Sequence, residues 1–175
     1  MQPRSVRIEP LAGYTPTIGR LVGMLSYARE TTLAAVEGLG VAELDHLHDD
    51  SSNSIGALLA HLAVSERGYQ CMTFEDRAPT ADEKAAWEPA LTLGSEARRL
   101  LRDKPLEHYV QQLSDVRRVT LAGLAAHDDA WLESSLSAAP AMNAHWAWFH
   151  VAEHEINHRG QMRWLRARLA RDSES

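Results

Sequence analysis

Apolar residues along this chain recur at spacings of three and four, and no stretch keeps a sustained in-out alternation. That is the period of helices, not of strands. Ile18, Leu21, Val22, Leu25, Ala28, Leu33 and Val36 form one such stripe and predict a helix from Thr17 to Leu39, with Gly38 and Gly40 as stop signals. VAELDHLHDDSSN reads as a polar connector, and Asn53 or Ser54 can cap a second helix from Ile55 to Phe74. EDRAPTADEKAAWEPALTLGS reads as a long polar connection, followed by a short helix from Ser95 to Arg102. Pro105 suits a helix start, so a third long helix is predicted from Leu106 to Ala126. Asp128 and Asp129 open another connection, through Trp131 to Pro140. Asn143 can cap a last helix that ends near Leu169, and the tail RDSES reads as polar and frayed. Four long helices without a strand signal predict an all-α four-helix bundle, of either up-down or crossover topology.

Composition narrows the class. The 175 residues fit one domain, 1–175, with enough chain for a sizeable core. A net charge of −6 gives no nucleic-acid footprint. No apolar run approaches the roughly 20 residues that span a bilayer, and the N-terminus lacks the apolar core of a secretory signal. Cys71 is the single cysteine, so no disulfide forms within the chain, in keeping with a reducing, cytoplasmic setting.

The candidate chemistry lies near the C-terminus, in HEINHRGQM. Its first five letters satisfy H-E-x-x-H, a pattern that on a helix can hold zinc and supply a general base. His150, His154 and His158 lie on one slanting stripe of the last helix, at steps of four residues. Neighbours on that stripe have Cβ atoms about 6 Å apart, close enough for two imidazoles to share one ion. All three would need a longer arc than one ion allows. His154 and His158 are the better pair, because Val151, Met162 and Leu165 continue their stripe into the core. His150, beside Trp146 and Trp148, either lines the site entrance or merely tops the bundle. His61, set among Ile55, Leu58, Leu59, Leu62 and Val64 on the second helix, is the candidate third ligand. A facial set of three histidines with open positions is the arrangement of a catalytic metal. Imidazole suits Zn, Ni, Fe and Cu, so the ligands alone do not choose the ion.

A zincin reading finds little support. No histidine follows His158, the only later acids are Asp172 and Glu174 in the tail, and no sheet is predicted to shape a cleft. Glu155 is expected instead to pair with Arg159 on the helix surface. Cys71 reads as a buried filler. His46, His48, His108, His127 and His145 read as solvated, and Arg98–Lys104 as a solvated basic face. Trp131, Trp146, Trp148 and Trp164 read first as core residues.

NSIGALLAHLAVSERGY, followed far downstream by HVAEHEINHRGQM, resembles the DinB-like (YfiT-like) superfamily of metal-binding four-helix bundles. The specific part is a histidine in the second helix combined with H-x-x-x-H and RGQ in the last. The resemblance implies a divalent metal ion on His61, His154 and His158, with Zn or Ni ahead of Fe or Mn, and a homodimer. It also implies transfer of a low-molecular-weight thiol, such as bacillithiol or mycothiol, to a small electrophilic substrate. The alternatives left open are a metal-dependent hydrolase, with Glu155 as a possible base, and a non-catalytic metal-binding helical dimer.

Overall fold

The computed structural model describes residues 7–172. Among these the chain order is α1 (Pro16–Val36), α2 (Val41–Asp45), α3 (Ile55–Thr73), α4 (Ala81–Thr92), α5 (Gly94–Leu100), α6 (Leu106–Ala125), α7 (Asp129–Leu132), β1 (Ser135–Leu136), β2 (Ala139–Asn143) and α8 (Ala144–Asp172). The fold is all-α, and α1, α3, α6 and α8 are the four long helices predicted from apolar spacing. Their boundaries follow local chemistry. Ser54 Oγ accepts the Ala57 N–H at 3.2 Å and Asn143 Oδ1 accepts the Trp146 N–H at 2.8 Å, each satisfying an orphan donor at a helix start. Gly38, at φ +78°, follows α1 in the left-handed conformation that glycine adopts without penalty. Residues 173–175 of the polar tail lie outside the described residues.

Cross-links between the helices give their directions. Arg29, Thr31 and Ala35 of α1 meet Glu155, Arg159 and Arg166 of α8 in the same order, so these two run parallel. Glu66 and Phe74 of α3 meet Arg117 and Gly123 of α6, also in parallel. Arg29 reaches Leu113 while Arg117 reaches back to Leu25, so α1 and α6 are antiparallel. The bundle is therefore up-down-down-up. Of the two topologies left open by the sequence, the crossover one is realised, because parallel α3 and α6 require a connection that returns along the bundle.

That connection holds a first difference from expectation. Residues 81–92, read as polar linker, form α4. Its start was legible: Thr80 and Glu83 make a capping box, with Thr80 Oγ1 accepting the Glu83 N–H and Glu83 Oε2 accepting the Thr80 N–H. Pro89 and the run of charges masked the rest, since only Ala90 of this helix is buried. A second difference is the hairpin β1–β2 in the connection before α8, which was expected to lack strands. It is too short to leave an alternating pattern, and Asp76 anchors its turn by accepting the Ser137 hydroxyl at 2.9 Å.

Beside a small cluster of Leu136, Ala144 and Ala147, the core has two large apolar clusters. One joins Leu58, Leu59, Leu62, Leu113, Met162 and Leu165; the other joins Ile18, Leu21, Leu25, Leu124, Trp148 and Val151. Between them lies a layer of four buried charges, one from each long helix. Arg29 Nε donates to Glu155 Oε1 at 2.8 Å, and Arg29 Nη2 to Glu66 Oε2 at 2.9 Å. Arg117 Nε donates to Glu66 Oε1 at 2.7 Å, and Arg117 Nη2 to Glu155 Oε2 at 3.0 Å. The remaining donors reach the carbonyls of Leu113 and Leu25, and Thr120 Oγ1 donates to Glu66 Oε1. Burial pushes the Glu66 carboxyl up, but Arg117, Arg29 and Thr120 together hold it below the ordinary carboxylate range. Two cations against two anions, with nearly every donor used, is what makes such a layer tolerable in a core.

Glu155 is thus no surface partner of Arg159. Its side chain is 2 % exposed and committed to two arginines, while Arg159 donates to Thr31 Oγ1. Removing one carboxylate leaves buried guanidinium groups uncompensated, so Glu66→Ala is expected to cost about 3–5 kcal/mol. Urea unfolding of the purified variant checks this, and a loss below about 1 kcal/mol would contradict the layer's role.

Candidate metal centre

Three imidazoles converge in the groove between α3 and α8. His61 comes from α3, where it follows the buried run Ile55 to Ala60, and His154 and His158 come from successive turns of α8. His154 Nε2 lies 3.0 Å from His61 Nε2 and 3.0 Å from His158 Nε2, and the three nitrogens lie within 4.8 Å of one another. The structure therefore brings together the three histidines singled out in the sequence.

Their outer nitrogens set the tautomers. His61 Nδ1 lies 2.8 Å from the Ala90 carbonyl, which can only accept, so Nδ1 carries the proton and Nε2 the lone pair. His158 Nδ1 lies 3.1 Å from Gln161 Oε1 and is oriented in the same way. Both lone pairs then face His154 Nε2, which has at most one proton to share when neutral. At least one of the two 3.0 Å contacts opposes lone pairs, an arrangement relieved by a cation between them. A tetrahedral ion with Zn–N bonds of roughly 2.0–2.1 Å spaces its nitrogens by about 3.3 Å, close to the 3.0 Å that separates His154 Nε2 from each of its two neighbours. The donor set thus fits a divalent ion, and three nitrogens leave at least one tetrahedral position for an outside ligand.

Burial favours the neutral, ligating form of each ring. Desolvation lowers the pKa of His61, and that of His158 against the raising effect of Gln161. Desolvation and then the neighbouring His158, His61 and His150 push His154 down to about 3.

The helix that sequence reading missed supplies part of this order. α4 ends at Thr92, where Leu93 and Gly94 adopt positive φ and the Gly94 N–H turns away to Asn53 Oδ1 at 3.0 Å. The Ala90 carbonyl is left without its usual helical partner and accepts from His61 instead. The negative end of the α4 dipole faces that imidazole.

His150 lies outside the triad. Its ring is stacked on Trp146 at 4.8 Å, edge-on to Tyr69 at 5.8 Å, and 5.6 Å from the His154 ring. Its Nδ1 is 2.9 Å from Glu153 Oε2, and its side chain is 30 % exposed, so it flanks the centre on the solvent side. Trp148 is the fully buried tryptophan, whereas Trp146 and Trp164 are exposed beside the groove, contrary to a core role. His127 is also not solvated: its Nδ1 meets the Gly123 carbonyl and its ring stacks on Phe74. Cys71 is buried, as expected of a filler.

The protein is of the helical-bundle class with three imidazoles gathered in one groove, a cluster that could hold a metal ion. The family model described as mycothiol-S-transferase matches residues 20–171, so the chain belongs to that family, within the DinB/YfiT-like superfamily. Comparison with curated proteins gives no match. No helix among the described residues is long and apolar enough to cross a membrane.

The depressed pKa values carry a sign. The unfolded chain takes protons below the ordinary histidine value of 6.5, while the folded triad refuses them. Metal-free protein is therefore expected to lose stability as pH falls below about 6.5, over and above the acid unfolding of its carboxylates. Thermal unfolding between pH 7 and pH 5 checks this. His154→Gln should flatten the slope; an identical slope in that variant would contradict the shift.

Proposed function

We propose that the protein is a metal-dependent thiol S-transferase, with a divalent ion held by the Nε2 atoms of His61, His154 and His158. The observation that carries the reading is the convergence of three imidazole nitrogens, two of them with lone pairs aimed inward by partners on their outer faces. Membership of the mycothiol-S-transferase family supports the reaction type. The buried thiol of Cys71 accords with a reducing, cytoplasmic setting, and residues 1–175 are read as one domain.

An ion held there lowers the pKa of a thiol that binds it, so that thiolate is available near neutral pH. The protein's own groups do the remaining work. The triad is oriented by Ala90 and Gln161. With its Nδ1–H donated to Glu153, His150 keeps a free Nε2 as acceptor for the thiol proton. The thiolate sulfur then forms a bond to an electrophilic carbon. In a substitution the leaving group departs with its electron pair. In a conjugate addition the electron pair moves into the substrate, and the adjacent carbon takes back a proton. Glu155 has no part in this sequence, since its carboxylate is bound between Arg29 and Arg117. The hydrolase alternative thereby loses its base.

Metal analysis of protein purified without chelator is expected to show about one ion per chain, with His61→Ala, His154→Ala and His158→Ala each losing affinity by well over about tenfold. Full metal retention in all three variants would overturn the site. Mycothiol consumption with a generic haloalkyl or bimane electrophile is expected only in the loaded protein. His150→Gln should keep the metal and slow turnover by about 100-fold; an unchanged rate would remove His150 from the proton path.

A further inference from the structure

The carbonyl that holds His61 belongs to a break between two helices, and the break has two ways of satisfying its hydrogen bonds. In an unbroken helix the Gly94 N–H would donate to the Ala90 carbonyl, four residues earlier. Here both groups are diverted to distant partners. The Ala90 carbonyl lies 2.8 Å from His61 Nδ1, and the Gly94 N–H donates to Asn53 Oδ1 at 3.0 Å. Leu93, between α4 and α5, takes up the difference. It has φ +57° and ψ −150°, a region essentially reserved for glycine. Its partly buried side chain packs against the cluster of Leu58 and Met162, which helps to enforce that conformation.

α4 is lightly held and free to follow such a change. It packs on α3 but buries only Ala90. A cleft of about 760 Å³, lined by Ala86 and Trp87 on one side and Val116 on another, opens between α4, α3 and α6. Pro89 offers no N–H to the Ala85 carbonyl, so the last turn is weakly tied to the rest of the helix. The start is tethered by Glu83, which meets Arg77 at 2.6 Å and Arg67 at 3.4 Å. These side chains are 24–35 % exposed, and ion pairs of that kind hold little. A helix of 12 residues is marginal without tertiary packing. An element with so little buried surface opens well before the bundle unfolds.

Relaxing Leu93 to helical φ and ψ would join α4 to α5 and return the Gly94 N–H to the Ala90 carbonyl. His61 and Asn53 would then be released. The relief of strain at Leu93 is set against the net worth of one hydrogen bond, and the two are of similar size. We propose that this junction is a two-state switch linked to the triad. It is broken, with Ala90 on His61, when a divalent ion is held at the triad, and helical when none is. The link is the imidazole of His61. A cation on Nε2 draws charge from the ring and makes Nδ1–H a stronger donor to the carbonyl, and the carbonyl in turn raises the basicity of Nε2. Coupling of this kind is reciprocal, so whatever stabilises the break also tightens the ion. The switch requires the metal reading of the triad but not the transfer reaction.

A Cβ on Gly94 would meet nothing within 4 Å, but its φ of +73° disfavours alanine. Gly94→Ala therefore favours the helical state without a clash. Its zinc affinity, measured by chelator competition, is expected to fall about tenfold. Asn53→Ala strips the anchor of the Gly94 N–H and should weaken zinc by a similar factor. Asn53→Asp keeps an acceptor oxygen and should stay within about twofold of wild type. In ¹³C spectra of the wild type, removing zinc should move the Leu93 Cα resonance toward its helical position, and restoring zinc should move it back. An unmoved Leu93 resonance overturns the switch, as does wild-type zinc affinity in both Gly94→Ala and Asn53→Ala. Equal losses in Asn53→Ala and Asn53→Asp also overturn it, because the acceptor would then be irrelevant. These failures leave the triad as a zinc site. A wild type that binds no zinc removes the metal reading itself, and the switch with it.

Discussion

The layer of Arg29, Glu66, Arg117 and Glu155 is the constraint on which the rest of this structure depends. Hydrophobic packing is non-directional, so the two apolar clusters alone would tolerate some sliding and rotation of the long helices. Four charges that must meet at hydrogen-bond distance do not tolerate it. Each long helix contributes one, so each is pinned both along its axis and about it. Isolated ions at this depth would cost several kcal/mol apiece. A misregistered bundle would have to bear that cost, and the native one largely escapes it.

The histidine triad inherits this register. His154 precedes Glu155 by one residue, and a step of one residue turns about 100° around a helix. When Glu155 points to the arginines, His154 points along the groove toward α3. Glu66 does the same for His61, which lies five residues earlier and one turn and a half along. The imidazoles then need only fine adjustment, which comes from partners outside the bundle core: the Ala90 carbonyl at the end of α4 and the Gln161 amide. Rigid helices place the ligands, and second partners choose their protonation.

The groove has distinct chemistry on either side of the triad. Toward the start of α8 it is aromatic and titratable, with Trp146, Tyr69, His150 and Glu153. Toward the end it is amide-rich and uncharged.

Much of this was legible in the chain. The four long helices, Ser54 and Asn143 at their starts, and the three histidines all followed from local periodicity and spacing, because a helix repeats every 3.6 residues whatever surrounds it. The capping box at Thr80 and Glu83 was also there to be read, and only the charges and Pro89 hid α4 behind it. Other features had no local signal. Whether Glu155 faced solvent or core could not follow from an Arg159 four residues on, since its partners Arg29 and Arg117 lie 126 and 38 residues away. The crossover topology and the Ala90 carbonyl on His61 likewise join residues far apart in sequence. Sequence by itself determined which residues could ligate and which helices would carry them, because those are short-range properties of the backbone. Only the tertiary structure decided what each side chain faces, because buried charges and orphan carbonyls find their partners across the fold.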